Sequence, residues 1–251
     1  MFWDEKKVHA QKYSRPPITE AVVEFRFRDP LDIKVVERVS KKIGRRFPFN
    51  EEASIFNIEI NIANPQVGPA NKVIFGKKHS SADRADITIV RQTALAVSRL
   101  APYLGWVQFC DQARTAWDEF VDVSKARPAL SRIGLRYINR IDAPMGEHET
   151  WARYANIRPS IPSLFSQPIK KYLVQVTGEL NHGLSATINT QPIDSPVPGH
   201  VSLLLDMDLA KVADIKSADK ELWESLEQMR VEKNRLFEDL ITNEARRLFS
   251  Q

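Results

Sequence analysis

Apolar and polar positions alternate through residues 130–141, LSRIGLRYINRI. Ile133, Leu135, Tyr137 and Ile141 make an apolar row broken only by Asn139. The even positions place Arg132, Arg136 and Arg140 on the other side, with Gly134 and Ile138 between them. Side chains change sides at every residue of a strand, so the segment reads as a strand with a core-facing row and a basic stripe. Residues 18–28 have the same period, with Ala21, Val23, Phe25 and Phe27 on one face and Glu20, Glu24, Arg26 and Arg28 on the other. Pro16-Pro17 lead into that strand and Asp29-Pro30 close it. The spacing then lengthens to three and four: Ile33, Val36, Val39 and Ile43 predict a helix over 31–43, with Gly44 as its C-cap.

Shorter alternating runs follow at 54–63 (Ile55, Phe56, Ile58, Ile60, Ile62), 72–76, 85–90 and 94–100. Asn64-Pro65, Gly68-Pro69 and 91–93 punctuate them as turns, so they read as antiparallel strands or hairpins. Residues 103–123 predict an amphipathic helix burying Trp106, Phe109, Trp117 and Phe120. The arginine-striped strand ends at Asp142-Ala143-Pro144. A short helix at 148–154 and a loop with three prolines at 157–168 come next. Strands are predicted at 172–180, 184–190 and 201–209, with Asn181-His182-Gly183 as a hairpin turn. A terminal helix over 220–249 carries Leu222, Trp223, Leu226, Met229, Leu236, Phe237, Leu240 and Ile241 as an apolar stripe. Unbroken, it would extend roughly 45 Å at 1.5 Å per residue.

The pattern defines an α+β fold of antiparallel sheets backed by helices, with a long C-terminal helix. It divides into an N-terminal arm (1–17), a first α+β half (18–126) and a second α+β half (127–251), together one compact unit. The shared order of elements reads as two duplicated βαβββα halves, although no residue-level repeat accompanies it. Two such halves can join their sheets edge to edge and cover one face with helices, leaving the other face to the arginines.

Composition narrows the class. The 251 residues are 43% hydrophobic and 27% charged, ordinary for a soluble globular chain. No apolar run approaches the length of a transmembrane helix, and the opening MFWDEKKVHAQKYSRPP lacks a signal-peptide core. The single Cys110 precludes an intramolecular disulfide, which fits a reducing cytosol. A cytoplasmic location without membrane partners is therefore expected. The net charge of +4, from 36 basic and 32 acidic residues, is too small to imply nucleic acid without clustering on one face.

Three segments carry a family resemblance: RPPITEAVVEFRF at 15–27, YLGWVQF at 103–109 and GLRYINRI at 134–141, with Asn234, Phe237 and Ile241-Thr242 near the end. Together they resemble an uncharacterised family of bacterial and archaeal proteins of sporadic occurrence, to which no reaction, cofactor or substrate is assigned. Sporadic occurrence implies horizontal transfer, and hence a link to mobile-element, toxin–antitoxin or phage-defence modules. That implication is an association, not chemistry.

Motifs for catalysis are missing. The chain has no phosphate loop, dinucleotide glycine fingerprint, Cys-x-x-Cys pair, His-Glu-x-x-His helix, EF-hand loop or Gly-x-Ser-x-Gly elbow, so no cofactor and no metal are expected. His9, His79, His148, His182 and His200 are scattered and read as lone surface or loop histidines; Cys110 reads as a packing or partly exposed residue and not as a nucleophile. Asp206 and Asp208 share a strand face, a spacing able to hold Mg²⁺. With Leu205, Met207 and Leu209 forming the buried side, both aspartates read as outward-facing structural residues.

The basic stripe has two readings. Arg132, Arg136 and Arg140 can pair with Glu20, Glu24 or Asp208 in a cross-strand ion network, or bind an anionic partner through the planar guanidinium fork. Tyr13 and Phe27 do not form the stacking platform expected of an RNA-binding sheet. The resulting function is a non-enzymatic binding or accessory protein acting through a protein partner or homodimer, with the stripe and terminal helix as contact surfaces. The alternatives are a nucleic-acid-binding protein, and an enzyme whose site assembles only in three dimensions from Asp206, Asp208, Glu20 and the arginines.

Overall fold

The structure is a computed structural model that describes residues 11–57, 71–125, 127–144, 153–157, 159, 171–215 and 219–250. Among the described residues nine strands and four α-helices are assigned: β1 (Ile18–Phe27), α1 (Ile33–Gly44), β2 (Phe49–Asn57), β3 (Asn71–Ser80), β4 (Asp86–Arg91), β5 (Ala94–Leu100) and α2 (Trp106–Ser124). They continue as β6 (Leu130–Pro144), β7 (Val174–Glu179), β8 (Leu184–Ile193), β9 (His200–Ile215), α3 (Asp219–Leu240) and α4 (Asn243–Phe249). The strands form one antiparallel sheet in the order β2-β3-β4-β5-β1-β6-β9-β8-β7, an α+β fold. The expected short helix at 148–154, the proline loop and the Ile58, Ile60 and Ile62 row fall largely or wholly outside the described residues.

Two compact units share these elements. One comprises Val22–Ile133 with Ala213–Ser217, the other Met1–Ala21, Gly134–Val212 and Ala218–Gln251, so the division passes inside β1, β6 and β9. In the first, the opening strand lies beside β5, and β4, β3 and β2 follow outward. That makes four strands between α1 and α2, one more than a βαβββα half contains. In the second, β6 lies beside β9, and β8 and β7 follow outward.

In the β2–β5 unit the buried face of β1 meets the helices. Phe25 packs on Trp117 with ring centroids 4.8 Å apart, and Phe27 stacks on Phe120 at 5.0 Å. Asp32 caps α1 by accepting the Lys34 amide at 2.7 Å, and Val36, Val39, Ser40 and Ile43 form its buried side. The residue after Gly44 closes α1 in right-handed geometry, so Gly44 is not the left-handed cap that its position suggested. Gly105 enters α2 at φ 109°, a conformation that a side chain disfavours, and this accounts for the glycine of the YLGWVQF segment. Trp106 is half-buried, while Phe109, Trp117 and Phe120 are buried as expected.

In the β7–β9 unit, Leu135, Tyr137, Ile141 and Ala143 of β6 are buried with Leu203, Leu205, Met207 and Leu209 of β9. Asn139 interrupts this row at no polar cost, because its amide donates to the Leu205 carbonyl at 3.1 Å. Tyr13 packs edge-on against Phe237 and Phe249 and donates to Glu238, which pins the N-terminal arm to α3 and α4. The terminal helical run divides at Ile241-Thr242. Asn156 donates its amide to the Leu240 carbonyl, Thr242 donates to the Tyr154 carbonyl, and Thr242 then caps α4 through the Ala245 amide. Backbone from 154–156 thus takes the hydrogen bonds that would continue the helix, and the 22 residues of α3 extend only about 33 Å.

Candidate functional site

The alternation read from the sequence is realised in β6: Ile133, Leu135, Tyr137 and Ile141 are buried, and the three arginines project from the opposite side of the strand. Each holds a carboxylate. Arg132 donates to Glu24 at 3.1 Å, and the same carboxylate receives Arg91 at 2.6 Å and Arg26 at 2.9 Å. Three guanidinium groups therefore meet at one glutamate. Arg91 brings its ring-side Nε, which is buried with no hydrogen-bond partner, and lies 5.8 Å from the Phe75 centroid.

Arg136 forms the most complete pair. Its Nε and Nη2 each reach one oxygen of Asp206 at 2.8 Å, and Asn189 donates to the same carboxylate at 3.2 Å. The hydrogen bonds to Asp206 raise the Arg136 pKa further, with Asp208 and Glu20 adding attraction, so this side chain is a permanent cation. Arg140 bonds Asp142 of its own strand at 2.9 and 3.1 Å, and Asp142 also accepts the Ser202 hydroxyl. Cross-strand pairs are thus present for Arg132 and Arg136, while Arg140 pairs within its own strand, and two of the acids differ from those expected. Glu24 serves Arg132, whereas Arg136 and Arg140 take Asp206 and Asp142.

Asp206 also departs from the outward reading. It projects from the polar side of β9, yet is only 4% exposed because the Arg136 fork lies across it, itself leaving 47% of its side chain in solvent. A carboxylate so covered is a structural anchor and not an open Mg²⁺ ligand. Among the described residues no group of three or more histidine, cysteine or acidic side chains is placed to hold a metal. Neither Tyr13 nor Phe27 offers an open ring: one is held by Glu238 and the other is buried.

A second polar system escaped the sequence reading. His79, expected at the surface, is 2% exposed and lies between Ser40 of α1 and Asn50 of β2. Asn50 donates its amide to the Phe47 carbonyl at 3.1 Å, so its oxygen accepts from His79 Nδ1 at 2.6 Å. Nε2 is then the acceptor for the Ser40 hydroxyl at 2.9 Å. Burial, then the nearby charges of Arg46 and Lys77, push the imidazole down to about 4, so it is neutral at ordinary pH. Gly44 makes room for this chain, since a Cβ there would lie 2.5 Å from the Asn50 oxygen and 3.2 Å from His79 Nδ1.

Hydroxyl, imidazole and amide in series can in principle activate a nucleophile. Here Ser40 is buried in the middle of α1. A nearby pocket of about 350 Å³ is lined by Arg46, Phe47, Asp86, Thr88, Val97 and Gln112 among others, but by neither Ser40 nor His79. Thr88 and Val97 share a cross-strand row with His79, so the chain lies beside the pocket on the same face of the sheet without opening into it. Glu20, Asp206, Asp208 and the β6 arginines do not line this pocket either.

Nothing local to the sequence signals the His79 chain, because its partners come from separate elements. A third polar residue did carry a signal. Lys233 falls four residues after Met229 and four before Phe237, on the apolar stripe of α3. Its amine sits 4.1 Å from the Tyr137 ring centroid, and burial, with Arg230 nearby, pushes it down to about 8. Among the described residues no helix is long and apolar enough to cross a membrane. No protein-family model matches the chain, and no curated protein matches it.

Proposed function

We propose that this chain is a non-enzymatic binding or accessory protein of a bacterial cytosol, working through a macromolecular partner within a mobile-element, toxin–antitoxin or phage-defence module. One observation carries the binding role: Arg132, Arg136 and Arg140 stand on one side of a single strand, each already engaged with a carboxylate. A polyanion would have to displace these internal acids, at the cost of the two short charge-assisted hydrogen bonds between Arg136 and Asp206. A protein surface with its own mixed charges can add to the pairs instead, which favours a protein partner.

Isolation of the tagged protein from its own host, with and without nuclease, tests this reading. A stoichiometric protein that survives nuclease and is lost with Arg136→Glu is the expected result. The double variant Arg136→Gln, Asp206→Asn keeps the site free of an orphaned charge and should also weaken capture, at near-normal stability. Recovery of no specific protein overturns the reading.

The nucleic-acid alternative has one observation in its favour, the meeting of Arg26, Arg91 and Arg132 at Glu24. It requires binding to mixed DNA or RNA that falls steeply with salt, and Arg91→Ala should flatten that slope.

A further inference from the structure

We propose that β7 is the pairing strand of a two-fold homodimer, in which the β7 strands of two copies run antiparallel about Gln175. The strand stands last in the sheet order and, among the described residues, is hydrogen-bonded on one side only, to β8. Residues 175–179 are all exposed, so neither face of β7 is covered. Val176 is 49% and Leu173 66% exposed, and a Cβ built on Gly178 would meet no atom within 4 Å.

An open edge of this kind displays unpaired amides and carbonyls. Natural edges are blunted by proline, central lysines or bulges. VQVTGE contains none of these, and its register with β8 runs without a shift from Val174–Thr190 to Glu179–Ser185. The edge is a straight template for one more strand.

Self-complementarity selects a second copy as that strand. Pairing about Gln175 sets Val174 opposite Val176 and, with the ladder carried on through residues 171–173 that precede β7, Leu173 opposite Thr177 and Lys171 opposite Glu179 of the other copy. Each match occurs twice, as a two-fold axis requires. Lys171 and Glu179 are exposed, opposite in charge and engaged in no ion pair among the described residues. Val174 and Val176 would extend the row that Thr190 and Ile188 form beside them, so the two copies gain four adjoining valines on one face. A contact of this length is small for a stable dimer, and a concentration-dependent equilibrium is expected.

Sedimentation of the full chain across a wide concentration range should show reversible dimerisation. Lys171→Glu or Glu179→Lys alone should weaken it at least about tenfold, and the two together should restore it. Gln175→Cys should oxidise to a disulfide joining residue 175 of two copies, identified by peptide mapping against Cys110. A chain that stays monomeric throughout overturns the proposal, as does a dimer insensitive to both reversals or one lacking the 175–175 link. The two charge reversals lie apart from the β6 arginines and their acids, so their outcome is independent of the partner-binding reading. Gln175 donates to Asn189 beside Asp206, and its variant reports the dimer link alone.

Discussion

The Arg136–Asp206 pair and the Ser40–His79–Asn50 chain satisfy the same physical demand and lead to different consequences. Both cover a polar group that burial would otherwise make expensive. Arg136 does so from the solvent side, with nearly half of its side chain exposed above a covered carboxylate, and remains available to a second ligand. His79 is held from within, between a helix and an edge-proximal strand pair, in a neutral state with both ring nitrogens occupied. The first arrangement can hold the fold and also take part in recognition. The second can only hold the fold.

Removing one partner should break the contrast most sharply at Asp206. Arg136→Ala strips that carboxylate of its guanidinium fork, leaves it the Asn189 amide, and should cost about 3 kcal/mol in urea unfolding. Asp206→Asn added to it should recover more than half, because the orphaned charge is gone.

At the inner chain, Gly44→Ala should cost about 2 kcal/mol, since the new Cβ drives Asn50 and His79 apart. It should leave binding through β6 unchanged. If the His79 chain were instead part of the recognition site, this variant would lower partner affinity as well as the unfolding midpoint.

Acid separates the two systems by charge. The folded imidazole resists protonation down to about 4, whereas the unfolded chain takes up that proton near pH 6.5. The contribution of His79 is therefore complete above pH 6.5 and declines as pH falls towards 4, by about 3 kcal/mol at most. Unfolding midpoints measured across that window should show a decline that shrinks in His79→Gln. Arg136 stays charged throughout and adds nothing to the window.

The smallest effect is expected at Arg140. Its partner Asp142 lies two residues away on the same strand and also accepts the Ser202 hydroxyl, so Arg140→Ala should cost less than about 1 kcal/mol. A thermal shift as large as that of Arg136→Ala would show that the three arginines act as one cooperative network.

Much of the fold was legible because period-two and period-four patterns report burial directly. The rows of β1 and β6, the 94–100 strand and the Phe109–Phe120 face all appear where alternation or helical spacing puts them. The terminal helix was overextended because Ile241 and Thr242 suit a helix well enough. Only the backbone at 154–156, distant in sequence, takes the hydrogen bonds that end it. The candidate site was half legible for a similar reason: spacing places the arginines on one side of β6, but says nothing of which acid each will meet.

The sequence by itself determined the α+β class, the two faces of the principal strands and the common side of Arg132, Arg136 and Arg140, since these depend on local periodicity. Tertiary structure alone decided that Arg136 covers Asp206, that Ser40 and Asn50 meet at His79, and that β7 stands last in the strand order. Those outcomes depend on which distant strands become neighbours, and strand order is set by the packing of the whole chain.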